Sequence, residues 1–147
     1  MEETKPEAII FDIDGTLAHM TGRKERRGKN APYMDWDAHD DEVDEHVELM
    51  LNTLKKNFKI IICSGRKSES RDVLEKWLDV NGIHYDEIFM RAKGDNRKDS
   101  IIKRELYENE IAPKYDVKIV FDDRDQVVDM WRNELGLKVF QVAEGKF

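Results

Sequence analysis

The amino-acid sequence predicts an α/β fold: a doubly wound, parallel five-stranded sheet with helices on both faces. Short runs rich in Ile, Val and Phe alternate along the chain with segments of helical periodicity, and this alternation is typical of parallel sheets. Several runs are almost continuously apolar, as expected of strands that are covered on both faces. Polar residues follow these runs directly, at the sheet edge where α/β folds bind their ligands.

Five apolar runs are the predicted strands: Ala8–Asp12, Lys59–Ser64, Glu87–Met90, Lys118–Asp122 and Lys138–Val142. Other segments carry apolar residues at helical spacing and are the predicted helices: one from Asp41 through Leu54, one after Ser68 that ends near Gly82, one from Asp95 or Asn96 through Tyr107, and one from Asp125 to Leu135. Trp77 and Trp131 fall on the apolar faces of two of these helices, so we expect both side chains in the core.

The length of 147 residues suits a single domain, residues 1–147, with one hydrophobic core. Only about 50 residues separate Asp12 from Ser64, and a helix occupies much of that interval. We therefore expect no large cap domain over the site. An open cleft suits the end of a polymer better than a small metabolite, which commonly needs a lid that excludes water.

The composition excludes several classes of protein. Charged and apolar residues each make up 39% of the chain, as in an ordered globular protein. No apolar stretch is long enough to cross a bilayer, and no signal peptide is evident. The single cysteine, Cys63, fits a reducing compartment. We expect a cytoplasmic protein without a membrane partner, in which Cys63 is a small buried residue.

The net charge of −7 disfavours a broad basic face for nucleic acid. The distribution is uneven, however, because residues 23–29 read Arg-Lys-Glu-Arg-Arg-Gly-Lys. A charge run is most often a solvated loop. This one closely follows the first predicted strand, and there it could contact a nucleic-acid backbone.

Acidic residues lie at the ends of two predicted strands. Asp12 and Asp14 end the first, and Asp122 and Asp123 end the fourth. Residues two apart in a strand point the same way, so the carboxylates of Asp12 and Asp14 could converge unless the chain bends between them. So many negative charges would repel in a partly desolvated cleft, and a divalent cation would relieve that repulsion. Hard oxygen ligands favour Mg²⁺ or Ca²⁺ over zinc, and Mg²⁺ with a phosphate substrate is the simplest choice.

Groups suited to binding phosphate lie at the same sheet edge. The second strand ends in Ser64-Gly65-Arg66, where Ser64 can donate a hydrogen bond and Arg66 can pair with phosphate through two of its N–H groups. The third helix adds Lys98 and Lys103, and Asp99 lies four residues before Lys103 on one face. Asp12 is then a candidate nucleophile for phosphoryl transfer.

At these positions the sequence resembles the haloacid dehalogenase-like (HAD) phosphatase superfamily. The segments that carry the resemblance are Asp12-Ile13-Asp14-Gly15-Thr16, Ser64, a downstream lysine and Asp122-Asp123. The resemblance implies that Asp12 attacks phosphorus, and that Asp14 protonates the leaving group and then activates water. It also implies that Asp12, the backbone carbonyl of Asp14, Asp122 and Asp123 hold Mg²⁺.

The chain is most similar to the phosphatase domain of phage polynucleotide kinase/3′-phosphatase, over nearly its whole length. This implies a Mg²⁺-dependent polynucleotide 3′-phosphatase with an aspartyl-phosphate intermediate, which acts on phosphorylated DNA or RNA ends in nucleic-acid repair, in the host-cell cytoplasm if a phage encodes it. The family's further active-site residues correspond to Arg23, Arg66, Asp99 and Lys103, with Arg91 a weaker match. Lys98 and Lys103 both lie in the segment that supplies the phosphate-binding lysine, and we favour Lys103.

The chain departs from that family in two ways. It has no Gly-x-x-x-x-Gly-Lys-Ser/Thr loop, so any kinase domain or partner is supplied separately. The segment 24–31 resembles an insertion and adds most of the basic cluster. The predicted nucleic-acid rim is Arg23, Arg26, Arg27, Lys29 and Arg91.

Two other functions stay open on the sequence. A nucleotidase or small-molecule phosphomonoesterase could use the same catalytic residues, and the acidic net charge favours it. A non-catalytic module that recognises phosphorylated ends is the third hypothesis, and the intact set of Asp12, Asp14, Arg66 and Asp122 argues against it.

Overall fold

A computed structural model of the chain describes residues 4–20 and 40–147. A parallel five-stranded sheet lies at its centre, with the strand order β5-β4-β1-β6-β7. The strands of the described residues are β1 (Glu7–Phe11), β2 (Ala18–His19), β3 (Glu42–Val43), β4 (Lys59–Lys67), β5 (Glu87–Arg91), β6 (Asp116–Asp122) and β7 (Val139–Gln141). The five predicted strands are thus confirmed, each within three residues of its predicted bounds. Strands β2 and β3 form a separate antiparallel pair.

Helices cover both faces of the sheet, as predicted. They are α1 (Glu45–Leu54), α2 (Arg71–Val80), α3 (Asp99–Leu106), which continues in a π-helical turn over Tyr107–Ile111, and α4 (Asp125–Asp129), which continues in a π-helical turn over Met130–Glu134. None of the helices within residues 4–20 and 40–147 is long and apolar enough to cross a membrane.

Two helices begin later than predicted. The first was predicted from Asp41, but Val43 pairs with Ala18 in the β2–β3 ladder, and the Asp44 carboxylate then caps α1 by accepting the His46 and Val47 N–H groups at 3.0 and 2.9 Å. A side-chain cap of this kind marks a helix start.

Helix α3 was predicted from Asp95 or Asn96 and begins at Asp99 instead. The Asp95 carboxylate accepts hydrogen bonds from the backbone N–H and the Nε of Arg97 at 3.2 and 3.0 Å, which holds the preceding residues in a turn. Within α3, Ile102 is buried in the core whereas Ile101 is exposed.

The strands alternate their side chains between two apolar layers. In β1, Ile9 and Phe11 enter the layer beneath α1 and α2, whereas Ala8 and Ile10 enter the layer beneath α3 and α4. Trp77 lies in the first layer and Trp131 in the second, both buried, as predicted. A sheet covered on both faces needs apolar residues at every strand position, and this explains the continuous runs in the sequence.

Parallel pairing brings the carboxyl ends of β1, β4 and β6 to one edge of the sheet. Between β1 and β4, the described residues add only the β2–β3 pair and α1, so no large cap domain is present within residues 4–20 and 40–147. The polar residues that end these three strands therefore meet at an open edge.

Helix α2 offers a test of the packing. Leu74 is fully buried against the sheet, whereas Val80, on the same helix, is 75% exposed. We expect Leu74→Ala to lower the free energy of unfolding by about 2–5 kcal/mol, because it leaves a cavity. Val80→Ala should change that free energy by less than about 0.5 kcal/mol. Urea titrations of both variants would measure the difference, and equal losses would contradict the assigned packing.

Candidate active site

Three carboxylates gather at the open edge of the sheet. Asp12 directly follows β1, Asp122 ends β6 and Asp123 follows it. One carboxylate oxygen of each lies within 4.8 Å of the others, and all three residues are at most 5% exposed. Buried carboxylates this close to one another need positive charge nearby.

Lys103 supplies part of that charge from α3. Its Nζ donates to Asp12 Oδ1 at 2.8 Å and to Asp122 Oδ2 at 3.0 Å, and it lies 3.9 Å from Asp99 Oδ2. The side chain is 1% exposed. Lys98, the other candidate lysine, is exposed and lies at the N-cap of α3, so Lys103 is the lysine that the fold directs into the carboxylate cluster.

Two neutral donors complete the cluster, and neither was among the predicted site residues. Thr16 Oγ1 bonds to Asp12 Oδ2 at 3.1 Å and to Asp123 Oδ1 at 3.3 Å. Trp131 Nε1 donates to Asp122 Oδ2 at 3.2 Å. Thr16 could have been found from its place in the Asp-x-Asp-Gly-Thr motif. The hydrogen bond of Trp131 has no sequence signal, because its position indicates only a core residue.

The pKa values show how strongly these groups interact. Burial raises the pKa of Asp12 well above its usual value, the charge of Asp122 raises it further, and Lys103 opposes both. Burial also raises the pKa of Asp123, with a further contribution from Asp122. For Lys103, burial acts to lower the pKa, but the carboxylates of Asp12, Asp122 and Asp99 outweigh it, so the pKa is well above its usual value. Lys103 is therefore protonated, and it offsets only part of the burial and repulsion that raise the pKa values of Asp12 and Asp123.

Such a cluster fits a hard divalent cation. Its donors are all carboxylate oxygens from Asp12, Asp122 and Asp123, which are the ligands that Mg²⁺ and Ca²⁺ prefer. The backbone at Gly15 passes close to the Asp123 carboxylate, so this position requires a residue without a side chain. Gly15, with φ of 87°, lies so near Asp123 that a Cβ there would stand 2.2 Å from its Oδ2.

Asp14 does not share the cluster. Its carboxylate forms a two-point pair with Arg66, at 2.9 Å to Nε and 2.5 Å to Nη2. The chain bends after β1 ends at Phe11, so the possible convergence of the Asp12 and Asp14 carboxylates does not occur. Arg66 Nη2 also lies 3.7 Å from Asp41 Oδ2, a buried carboxylate that the sequence did not single out. Coordination through the backbone carbonyl of Asp14 stays a prediction.

The end of β4 forms an irregular turn beside the cluster. Its register with β5 shifts between Ser64 and Lys67, which fits a bulge that re-aims side chains. Ser64 Oγ accepts the Arg66 N–H at 3.1 Å and is buried. Gly65 packs against Asp99, and a Cβ on this glycine would stand 2.0 Å from Asp99 Oδ1.

Arg91, predicted at the nucleic-acid rim, lines the cleft and is partly buried. Its guanidinium donates to the backbone carbonyls of Gly65, Asp95 and Arg97 at 2.8, 3.1 and 2.5 Å, and to Asp99 Oδ1 at 3.4 Å. These bonds hold the turn before α3 against β4. Most of the N–H groups of the Arg91 guanidinium are therefore bonded within the protein.

A cleft of about 540 Å³ opens over these residues. Its lining residues include Asp12, Asp14, Arg66, Asp122 and Asp123. Arg124, another residue that the sequence did not single out, also lines the cleft and lies 3.4 Å from Asp99 through Nη1. The remaining predicted residues, Arg23, Arg26, Arg27 and Lys29, lie outside the described residues.

Thr16 gives a test of the cluster's hydrogen bonds. We expect Thr16→Val, which keeps the side-chain shape, to lower the free energy of unfolding by about 1.5–3 kcal/mol, because the buried carboxylates of Asp12 and Asp123 lose the one O–H donor that they share. Urea unfolding in EDTA would measure it. Thr16→Ser retains the hydroxyl and is the matched control, and a loss as large in Thr16→Ser would contradict the assignment.

Cys63 lies in β4 close to the cluster and is 1% exposed. Burial raises the pKa of its thiol, whereas an unfolded cysteine ionises at a pKa of about 8.5. As the pH rises through that value, the thiolate should form in the unfolded chain and not in the folded one. We expect iodoacetamide to label the protein in denaturing urea and to leave the native protein unlabelled. Equal labelling rates would show that the thiol is accessible.

Comparison with known proteins places this chain in a family. The family model described as the polynucleotide kinase PNKP phosphatase domain matches residues 6–147. The chain is 33% identical, over 148 aligned positions, to a candidate bifunctional polynucleotide kinase/RNA ligase of Autographa californica nuclear polyhedrosis virus, and the match covers 94% of the chain and 20% of that protein.

Solved structures agree. A chain of the Pnkp1/Rnl/Hen1 RNA repair complex superposes with a TM-score of 0.88 at 42% identity, over 97% of this chain and 44% of that one. A haloacid dehalogenase-like hydrolase of Streptococcus pneumoniae shares the fold, with a TM-score of 0.60 at 15% identity, over 93% of this chain and 84% of that one.

The chain spans only a fifth of the length of the viral protein and less than half of the repair-complex chain. The match to the family model, in contrast, covers almost the whole length of this chain. The chain therefore belongs to the family of polynucleotide kinase PNKP phosphatase domains, which are phosphomonoester hydrolases with an HAD-like fold.

Proposed function

We propose that the protein is a Mg²⁺-dependent polynucleotide 3′-phosphatase that forms an aspartyl-phosphate on Asp12 and acts in nucleic-acid end repair. One observation carries the proposal: Asp12 lines an open cleft and lies among two further buried carboxylates and the ammonium group of Lys103. This is the arrangement that phosphoryl transfer to a carboxylate requires, since it combines a nucleophile with cations around the transferred group.

Asp12, Asp122 and Asp123 would hold the ion, together with the backbone carbonyl of Asp14. When bound, Mg²⁺ supplies positive charge that offsets the phosphate oxygens and the carboxylates. Lys103 already contacts Asp12 and Asp122, so it orients the nucleophile and adds a second cation beside it. Thr16 fixes the other oxygen of Asp12.

The reaction has two steps, and Asp14 acts in both. A carboxylate oxygen of Asp12 forms a bond to phosphorus while the bond to the sugar oxygen breaks, and Asp14 donates a proton to that leaving oxygen. Asp14 then takes a proton from water as the water oxygen attacks phosphorus, which releases phosphate and regenerates Asp12. The two-point pair with Arg66 holds Asp14 among the residues that line the cleft.

Ser64, Gly65, Arg66 and Lys103 form the phosphate-binding side of the site in this proposal, and Asp99 positions Lys103. The Ser64 oxygen accepts the Arg66 N–H, and its own O–H group would donate to a phosphate oxygen. Lys98 is exposed at the start of α3, where it could reach a more distant phosphate.

A polynucleotide end is the substrate that the open cleft favours, since the described residues include no large cap over it. The basic residues Arg23, Arg26, Arg27 and Lys29 would contact its backbone. The relatives include a protein of an RNA repair complex and a candidate kinase/ligase. We therefore propose that a kinase or ligase activity is supplied by a further domain or a partner, and that the protein works in the cytoplasm.

A nucleotidase or small-molecule phosphomonoesterase is the second candidate. The net charge of −7 favours it, because a long polyanion is repelled by an acidic protein more strongly than a mononucleotide is. It requires no contribution from the basic residues 23–29.

A substrate panel separates the two candidates. We expect a higher kcat/KM for release of phosphate from a 3′-phosphorylated oligonucleotide than from a nucleoside 3′-monophosphate, because the longer substrate gains backbone contacts. Activity should require Mg²⁺ and fall by several orders of magnitude in Asp12→Asn. A malachite-green assay of released phosphate would measure both.

A joint replacement of Arg26, Arg27 and Lys29 by alanine is the matched test of the rim. It should reduce activity on the oligonucleotide and leave activity on the mononucleotide unchanged. Equal or better turnover of mononucleotides would support the nucleotidase instead. Retained activity in Asp12→Asn would overturn the mechanism, and no activity on any substrate would favour a non-catalytic binding module.

A further inference from the structure

The segment that begins at the last residue of β7 packs against the loop that carries Asp122 and Asp123. We call residues 141–147 the strap. It begins where β7 pairs with β6, since Gln141 is the register partner of Asp122. Val142 then donates its N–H to the Asp122 carbonyl at 3.1 Å. The strap thus starts in direct contact with one of the three clustered carboxylate residues.

Gln141 holds this loop through its side-chain amide. Its Nε2 donates to the backbone carbonyl of Asp123 at 2.9 Å and to Asp125 Oδ1 at 2.7 Å. One amide group therefore ties the residues on both sides of Arg124 to the sheet. Since Asp123 contributes an oxygen to the cluster, a shift of its backbone would move that oxygen.

Gly145 holds the same loop through its backbone. Its carbonyl accepts the Asp125 N–H at 2.7 Å, and this satisfies one N–H group at the start of α4, which has no side-chain cap. A Cβ at Gly145 would stand 2.1 Å from the Asp123 carbonyl oxygen and 2.7 Å from Arg124 Cα. Both are backbone atoms, so only glycine allows this contact without a displacement of the loop.

The far end of the strap reaches the other side of the site. Arg124 Nε donates to the Phe147 carbonyl at 2.9 Å, and the guanidinium stacks over the Phe147 ring at 4.9 Å. The same guanidinium lies 3.4 Å from Asp99 through Nη1. The strap therefore links the carboxylate loop to the acid that neighbours Lys103.

We propose that Gln141 and Gly145 are positioning residues that set the geometry of Asp122 and Asp123 and thereby the affinity of the cluster for a divalent cation. The proposal rests on the proposed function, because it assumes that the cluster binds Mg²⁺. It differs from a purely structural role of the strap, which would stabilise the fold and leave cation affinity unchanged. Outer contacts of this kind commonly change metal affinity by about 10–100-fold.

Two variants test the proposal. Gly145→Ala pushes the loop away from the strap, and Gln141→Met keeps the side-chain length but removes both hydrogen bonds. We expect each to weaken the binding of Mg²⁺ alone by about 10-fold or more, measured by isothermal titration calorimetry on the full chain. The Mg²⁺ concentration for half-maximal activity should rise in parallel, with a smaller change in kcat at saturating Mg²⁺.

Gly82→Ala is the matched control. Gly82 has φ of 66°, so alanine is strained there, but its Cβ would meet no atom within 4 Å, and it lies at the end of α2, away from the strap. It should lower the melting temperature measured in EDTA and leave Mg²⁺ affinity as in the wild type.

The outcomes are distinct. A wild type that binds no Mg²⁺ would overturn the proposed function and the strap proposal with it. A wild type that binds Mg²⁺, with both strap variants at the same affinity, would overturn the strap proposal alone. Equal weakening in Gly82→Ala would also overturn it, since the effect would then follow from lost stability. If Gly145→Ala does not fold, the Mg²⁺ affinity of Gln141→Met alone tests the strap proposal.

Discussion

The site depends on charge compensation among buried groups. Asp12, Asp122 and Asp123 place carboxylate oxygens within 4.8 Å of one another, where two like charges repel by roughly 3–4 kcal/mol at an effective dielectric constant of about 20. Lys103 offsets part of this by bonding to Asp12 and Asp122 at once. A divalent cation would offset the repulsion that remains, and the carboxylates around Lys103 explain why this lysine can be almost fully buried.

The parallel topology makes this compensation possible. Asp12 follows the central strand β1, and the other two carboxylates come from the end of the neighbouring strand β6 and the residue after it. Strand β4, on the opposite side of β1, brings Ser64 and Arg66 to the same edge. Helix α3 then projects Lys103 and Asp99 toward the cluster. The π-helical turns that follow α3 and α4 pack Tyr107 and Trp131 edge to face, which fixes these helices beside each other.

The sequence predicted most of this fold, and its failures have a common cause. The spacing of apolar residues predicts the five strands and the helices on both faces. The polar residues at the ends of the apolar runs predict the cluster of Asp12, Asp122 and Asp123. The early starts predicted for α1 and α3 were wrong, because Val43 pairs in a short ladder and Asp95 forms a local turn. Periodicity reports which residues are apolar, whereas helix starts depend on individual hydrogen bonds.

By itself the sequence determined the α/β class, the edge at which the chemistry lies and the residue types available there, because period and strand ends are local properties of the chain. Only the tertiary structure decided how those residues pair. It directs Asp14 to Arg66, turns Arg91 inward and places Thr16, Trp131 and the strap around the carboxylates. These contacts join residues far apart in sequence, and their geometry is set by packing between elements that no local pattern encodes.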